Sequence, residues 1–163
     1  KNQWKKVNQF FLQILNEMKN KKKKHVSVLF PKKKKIGKRD WGEEILLSLI
    51  PSVLSLKLLK IKKGKKGGIQ YHHKKNECGY ILSGKLLIRY DKGNKILSTK
   101  ILKAGDVFQF PPGAVHQEEA LTDCKILEAS SPHFNDRVRV DERYGFSSRL
   151  GLPSTTIKDV IKK

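Results

Sequence analysis

From Trp41 onward the chain is written in short apolar or alternating runs: "VLSLKLLKIKKG", "GIQYHH", "GYILSGKLLIRYD", "KILSTKILKAGD", "VFQFPPG", "VHQEEAL" and "CKILEAS". Alternation with a period of two puts successive side chains on opposite faces of a strand. Turn residues separate the runs: Gly64, Gly67-Gly68, Ser83-Gly84, Asp91 to Asn94, Gly105-Asp106 and Pro111-Pro112-Gly113. Short strands punctuated in this way predict an all-β antiparallel sandwich or barrel, and such a chain closes its edges as a barrel or jelly roll. The flanks read differently. Trp4, Val7, Phe10, Phe11, Ile14, Leu15 and Met18 recur at helical spacing and predict a helix over 4–18 with one apolar stripe. The runs "KNKKKK" and "PKKKKIGKR", broken by Pro31 and Gly37, make residues 20–40 a loop or a tethered strand. "LPSTTIKDVIKK" predicts a short C-terminal helix with Ser154 as N-cap. The expected organisation is a basic helix-and-loop extension over 1–38, a barrel over 39–150 and a helical tail over 151–163.

Composition narrows the class. The 163 residues are 37% hydrophobic and 8% aromatic, which suits one soluble folded domain. No apolar run approaches the roughly 18 residues of a membrane span. The formal charge is +21, of which residues 1–40 carry +12. Such a charge attracts nucleic acid, anionic lipid or a phosphorylated substrate, or else keeps a solvated surface soluble. Six of the 36 basic residues are Arg, the residue of specific nucleic-acid readout, so nucleic acid or membrane contact by the N-terminus is not the favoured reading. Cys78 and Cys124 form no CxxC pair, as expected of reduced thiols in the cytoplasm. "VNQFFLQIL" is interrupted by Asn8, Gln9 and Gln13, and it does not read as a signal peptide. An apolar stripe on 4–18 and open sheet edges predict a homodimer to which residues 1–30 contribute.

The chemistry concentrates in "QYHHKKNE" and "GDVFQFPPGAVH". Gln70 and His72 share one face of a strand; Tyr71 and His73 share the other. If Gln70 and His72 face inward, they can converge with Glu77 and with His116 from a later strand. Two imidazoles, a carboxylate and an amide oxygen make a divalent-metal site with positions left for water or substrate. The opposite register would bring in Tyr71 and His73, a poorer ligand pair. Pro111 and Gly113 shape the loop that aims His116.

These two stretches resemble the motifs of the cupin superfamily. "ECGYILSG" supplies the glutamate and glycine of the first motif, and "GDVFQFPPGAVH" is similar to the second, with Ala120 where an asparagine is common. Within cupins, "QYHHKKNE" resembles the Gln-x-His-His-His-Arg-x-Glu signature of type II phosphomannose isomerases, which also form the C-terminal domain of bifunctional mannose-1-phosphate guanylyltransferases. "RDWGEEILL" and "ILEASSPHFNDRVRVDERYGF" are similar to that family's entry and closing segments, so the likeness spans 39–146. Asp40, Lys74, Ser130 and Phe146 depart from its usual Pro, His, Gln and Arg. The resemblance implies a double-stranded β-helix and one divalent ion, with Zn, Mn, Fe, Ni and Co undistinguished, held by Gln70, His72, Glu77 and His116. It also implies an aldose–ketose isomerase acting on a mannose-6-phosphate-like sugar.

Such a reaction needs a base at a carbon-bound proton and a grip on the phosphate. Glu128 is the candidate base if its face of "KILEAS" points inward; otherwise it is a strand carboxylate paired with a lysine. Arg139 is the candidate phosphate ligand, with Arg137 on the same face and Lys74 and Lys75 adding positive field. For the arginines, surface ion pairs with Asp136, Asp141 or Glu142 are the competing reading. Two other functions fit the same scaffold: a cupin dioxygenase or lyase acting on a small acid, and a non-enzymatic module binding sugar or nucleic acid.

Overall fold

Strand after strand, alternating positions turn inward, and what they carry changes along the barrel. The computed structural model describes residues 34–36 and 39–146. The expected helices over 4–18 and 151–163 lie outside the described residues. Eleven strands are present among those described: β1 (Lys34–Lys35), β2 (Gly42–Ile50), β3 (Leu54–Ile61), β4 (Gln70–His72), β5 (Glu77–Ser83), β6 (Lys85–Asp91), β7 (Leu97–Lys103), β8 (Val107–Phe110), β9 (His116–Ala120), β10 (Cys124–Ser130) and β11 (Arg137–Arg139). A short 3-10 helix, Asp141–Tyr144, follows. Within the segment 20–40, Lys34–Lys35 form a strand paired with β2, while residues 20–33, 37 and 38 lie outside the described residues.

The strands form two antiparallel sheets. One runs β1-β2-β3-β10-β5-β8 and the other β11-β4-β9-β6-β7. From β3 onward the chain crosses between the sheets at every step except β6 to β7, as in a jelly roll: β4 pairs with β9 and β11, while β5 pairs with β10 and β8. The turn from β5 to β6 needs Gly84. Its φ is +92°, and a Cβ there would lie 2.3 Å from the Asp123 carbonyl oxygen.

The interior is divided along the strand axis. At one end Leu59, Ile61, Ile81, Leu86, Ile88, Phe110, Ala120 and Ile126 pack as an apolar core. Burying that much aliphatic surface is the main source of stability. At the other end the inward positions of the same strands turn polar. On β3, Leu59 and Ile61 give way to Ser55 and Lys57; on β10, Cys124 and Ile126 give way to Glu128 and Ser130. Buried polar side chains survive only with partners, so this half of the barrel needs a physical account.

Candidate metal centre

Three strands deliver the ligand candidates. Strand β4 brings Gln70 and His72, with His72 buried and the Gln70 backbone paired to His116. Glu77 opens β5 and His116 opens β9; both are buried. The "PPG" loop is tied to β4 by the Gly113 N–H, which donates to the His72 carbonyl at 2.8 Å. Gly113 has φ +83°, a left-handed conformation that favours glycine, at the turn that returns the chain to His116. The His116 ring stacks on Phe110 with centroids 3.9 Å apart. Tyr71 and His73 contact each other on the opposite face, so the alternative register does not occur.

One ligand atom from each of His72, Glu77 and His116 lies within 4.8 Å of the others. His72 Nε2 and His116 Nε2 each lie 3.5 Å from Glu77 Oε2. The far side of each ring fixes its tautomer. His116 Nδ1 donates to the Ala114 carbonyl at 2.9 Å, and His72 Nδ1 donates to Asp136 Oδ1 at 2.8 Å. In the neutral rings both Nε2 atoms are then lone-pair acceptors. Burial pushes the His116 pKa below its ordinary value against the pull of Glu77, which favours the neutral ring. His72 Nε2 is buried and lacks a hydrogen-bond partner among the described residues. Two nitrogen lone pairs and a carboxylate oxygen aimed at one point repel each other unless a cation lies between them. The donor set therefore fits a divalent ion of borderline softness. Gln70 Nε2 is 3.4 Å from His116 Nε2, and turning the amide over would present Oε1 as a fourth donor.

Outside the triad runs a chain of buried charges. Arg39 bonds Glu44, Lys57 lies 3.1 Å from both Glu44 Oε1 and Glu128 Oε1, and Lys75 lies 3.0 Å from Glu128 Oε1. Lys75 closes on Glu77 Oε1. Ser130 Oγ donates to Glu128 Oε1 at 3.1 Å. Burial alone would raise Glu128, but Lys57 and Lys75 outweigh it and hold the carboxyl well below the usual range. Burial likewise opposes the Lys75 ammonium, and Glu128 and Glu77 overcome it, holding its pKa above the ordinary lysine value.

A cavity of about 120 Å³ opens over the centre. Gln70, His72, Lys75, Glu77, Glu128, Arg137 and Arg139 all line it. Lys74 does not: its side chain is exposed, because the turn spends the Lys74 N–H on Asp136 Oδ2 and directs the side chain to solvent. Arg137 is pushed down to about 10 by burial and by neighbouring Arg139 and Arg39, so it stays charged at neutral pH. The Arg139 guanidinium lies against Gly68, where a Cβ would meet Nη1 at 1.9 Å. Glu128 faces inward, and it is also paired with lysine as the competing reading has it, committed to the ammonium groups of Lys57 and Lys75.

Glu118 and Asp136 carry no role in the site on the sequence reading. Glu118 lines the cavity, and its carboxylate makes no hydrogen bond or ion pair among the described residues. Burial, then Glu77 and Glu128, push it up to about 8. Its signal was available: it shares strand parity with His116. Asp136 orients His72 from a loop, where no periodicity marks it.

A barrel with a polar half and a convergent His/His/Glu set defines a candidate metal-centre protein, and the comparisons give its kind. A family model described as "Cupin domain" matches residues 57–130. A germin-like protein, subfamily T member 3, of Arabidopsis thaliana is 25% identical over 88 residues, 53% of this chain and 38% of that protein. The capsular polysaccharide assembling protein CapF of Staphylococcus aureus shares the fold with a TM-score of 0.58 at 23% identity, over 65% of this chain and 34% of that one. Oxalate decarboxylase of Bacillus subtilis, a protein with Mn(II) centres, aligns with a TM-score of 0.56 at 18% identity, over 66% of this chain and 30% of that one. The chain thus spans about a third of the length of these relatives. Together the matches support the cupin superfamily for the barrel. They do not extend to the narrower likeness with type II phosphomannose isomerases.

Proposed function

We propose that the protein is a metal-dependent cupin enzyme that binds one divalent ion through His72, Glu77 and His116, with Gln70 as fourth donor. Its proposed substrate is a small anionic sugar, and aldose–ketose isomerisation of a hexose phosphate is the proposed reaction. The observation that carries this reading is the meeting of three acceptor atoms, each Nδ1 already tied elsewhere, under a cavity that also holds Arg137 and Arg139. A bound ion would supply Lewis-acid polarisation of a substrate carbonyl or hydroxyl oxygen. The chain supplies the rest. The buried charges of Arg39, Glu44, Lys57, Glu128, Lys75 and Glu77 alternate in sign along the wall, and Arg137 and Arg139 line the same cavity with guanidinium groups suited to a phosphate. Arg137 and Arg139 bind the phosphate away from the reacting carbons and orient the substrate. Glu118 suits the proton-carrying role better than Glu128, because a carboxylate held low by two ammonium groups is a weak base. CapF, by its name, serves polysaccharide assembly, which agrees with carbohydrate chemistry on this fold.

The test is a panel of aldose and ketose phosphates with metal-reconstituted protein, read by product NMR in deuterated water. Turnover with deuterium entering at the carbon beside the carbonyl supports the isomerase. Oxygen consumption or CO₂ release from a small carboxylic acid, with no sugar turnover, would replace it by cupin dioxygenase or lyase chemistry.

A further inference from the structure

The chain of buried ion pairs ends on a metal-ligand candidate. Lys75 Nζ holds Glu77 Oε1, while Glu77 Oε2 faces the two Nε2 atoms at 3.5 Å. We propose that Lys75 is a positioning residue that tunes the metal centre. Its ammonium ties up one oxygen of Glu77, limits that carboxylate to a single bond to the ion, and lowers the affinity of the centre for divalent cations. The proposal rests on the metal-centre reading of His72, Glu77 and His116.

The geometry gives the ammonium no easy retreat. Lys75 is 6% exposed, and its other acceptor, Glu128 Oε1 at 3.0 Å, is equally interior. Glu128 is itself fixed by Lys57 at 3.1 Å and by Ser130 Oγ at 3.1 Å. A surface lysine would swing into water as a dication arrived. This one stays, and two like charges then share one carboxylate in a poorly screened interior. Carboxylates with two free oxygens can ligate through both, and Ca²⁺ in particular collects oxygens in this way. Occupying Oε1 disfavours that mode and keeps a coordination position for a substrate oxygen. The arrangement therefore favours an exchangeable centre of transition-metal type over a closed structural one.

The sign of the effect separates tuning from scaffolding. Calorimetry and visible absorption with Co²⁺ alone, on the full chain, give the affinity without any assay of turnover. Lys75→Met is expected to bind Co²⁺ about tenfold more tightly than wild type, and Glu128→Gln, which deprives the ammonium of a counter-anion, about tenfold more weakly. Lys75→Arg keeps the charge and is expected to stay within about threefold of wild type. A lysine that merely props up the fold would give weaker binding in Lys75→Met. Equal or weaker binding in folded Lys75→Met, or equal or tighter binding in Glu128→Gln, overturns the proposal while the metal centre stands. Should Lys75→Met fail to fold by circular dichroism, Lys75→Gln carries the same comparison. Absence of Co²⁺, Zn²⁺ and Mn²⁺ binding in the wild type removes the metal centre and the proposal together.

Discussion

Removing the Asp136 carboxylate is expected to damage the metal centre without touching a ligand. Oδ1 accepts from His72 Nδ1 at 2.8 Å, and Oδ2 accepts from the N–H groups of Lys74 and Lys75, both at 2.9 Å. Burial works against the carboxylate, but those bonds outweigh it and hold its pKa below the usual aspartate value. In Asp136→Ala the His72 ring is free to turn or to move its proton to Nε2, which removes the lone pair the ion needs. Partners of this kind are worth about 10- to 100-fold in metal affinity, or about 1.4 to 2.7 kcal/mol. The turn that carries Lys75 toward Glu77 also loses its anchor, with a stability cost of about 1 to 3 kcal/mol. Asp136→Asn separates the two effects. Its amide oxygen can still accept from His72, but its NH₂ faces two backbone N–H donors. Affinity should therefore fall less than in the alanine variant, while stability falls in both. Isothermal titration with Zn²⁺ or Co²⁺ at pH 7, alongside urea melts of the metal-free proteins, reads both quantities. Wild-type affinity in Asp136→Ala would refute the claim that this carboxylate sets the His72 tautomer.

Two further outcomes follow from the cavity wall. Glu128 is held below its ordinary 4.5, so its contribution is full above that value and is lost as pH falls through its folded pKa. Lys75 is raised above 10.5, so its contribution is full below that value and is lost only as pH rises through its folded pKa. Urea midpoints of the metal-free protein should accordingly show no loss from this pair between about pH 5 and 10 and a decline in acid, and Glu128→Gln should flatten that decline. If a hexose phosphate is turned over, Arg139→Ala is expected to raise KM for it about tenfold or more while leaving the unphosphorylated sugar nearly unchanged; equal effects would place Arg139 outside substrate binding.

Much of this architecture is legible in the sequence because its signals are short-range. Period-two alternation and Gly/Pro turns fix the strands, and parity alone sends Gln70 and His72 to the same side. Other features escape for physical reasons. In "LSLKLLKI" leucines fall on both faces of β3, so the pattern cannot choose which set turns inward, and Lys57 reads as a surface lysine. The structure buries it against Glu44 and Glu128. Lys74 and Lys75 are neighbours of identical chemistry, and only the turn held by Asp136 sends one to solvent and the other into the barrel. Asp136 pairs with His72 across 64 positions, from a loop without periodicity, so its partnership becomes visible only when β11 lies beside β4. Glu118 was within reach, since it alternates with His116 and Ala120 on β9.

The central claim is that His72, Glu77 and His116 hold one divalent ion. Elemental analysis of the protein after reconstitution and desalting tests it most directly, with wild type compared against a His72→Ala/His116→Ala variant that retains its β-sheet circular dichroism. The account predicts about one transition-metal ion per chain in the wild type and almost none in the double variant, because a lone carboxylate and an amide cannot retain the ion through desalting. Equal metal content in the two proteins, or none in the wild type after exposure to Zn²⁺, Mn²⁺, Fe²⁺, Ni²⁺ and Co²⁺ in turn, would contradict it.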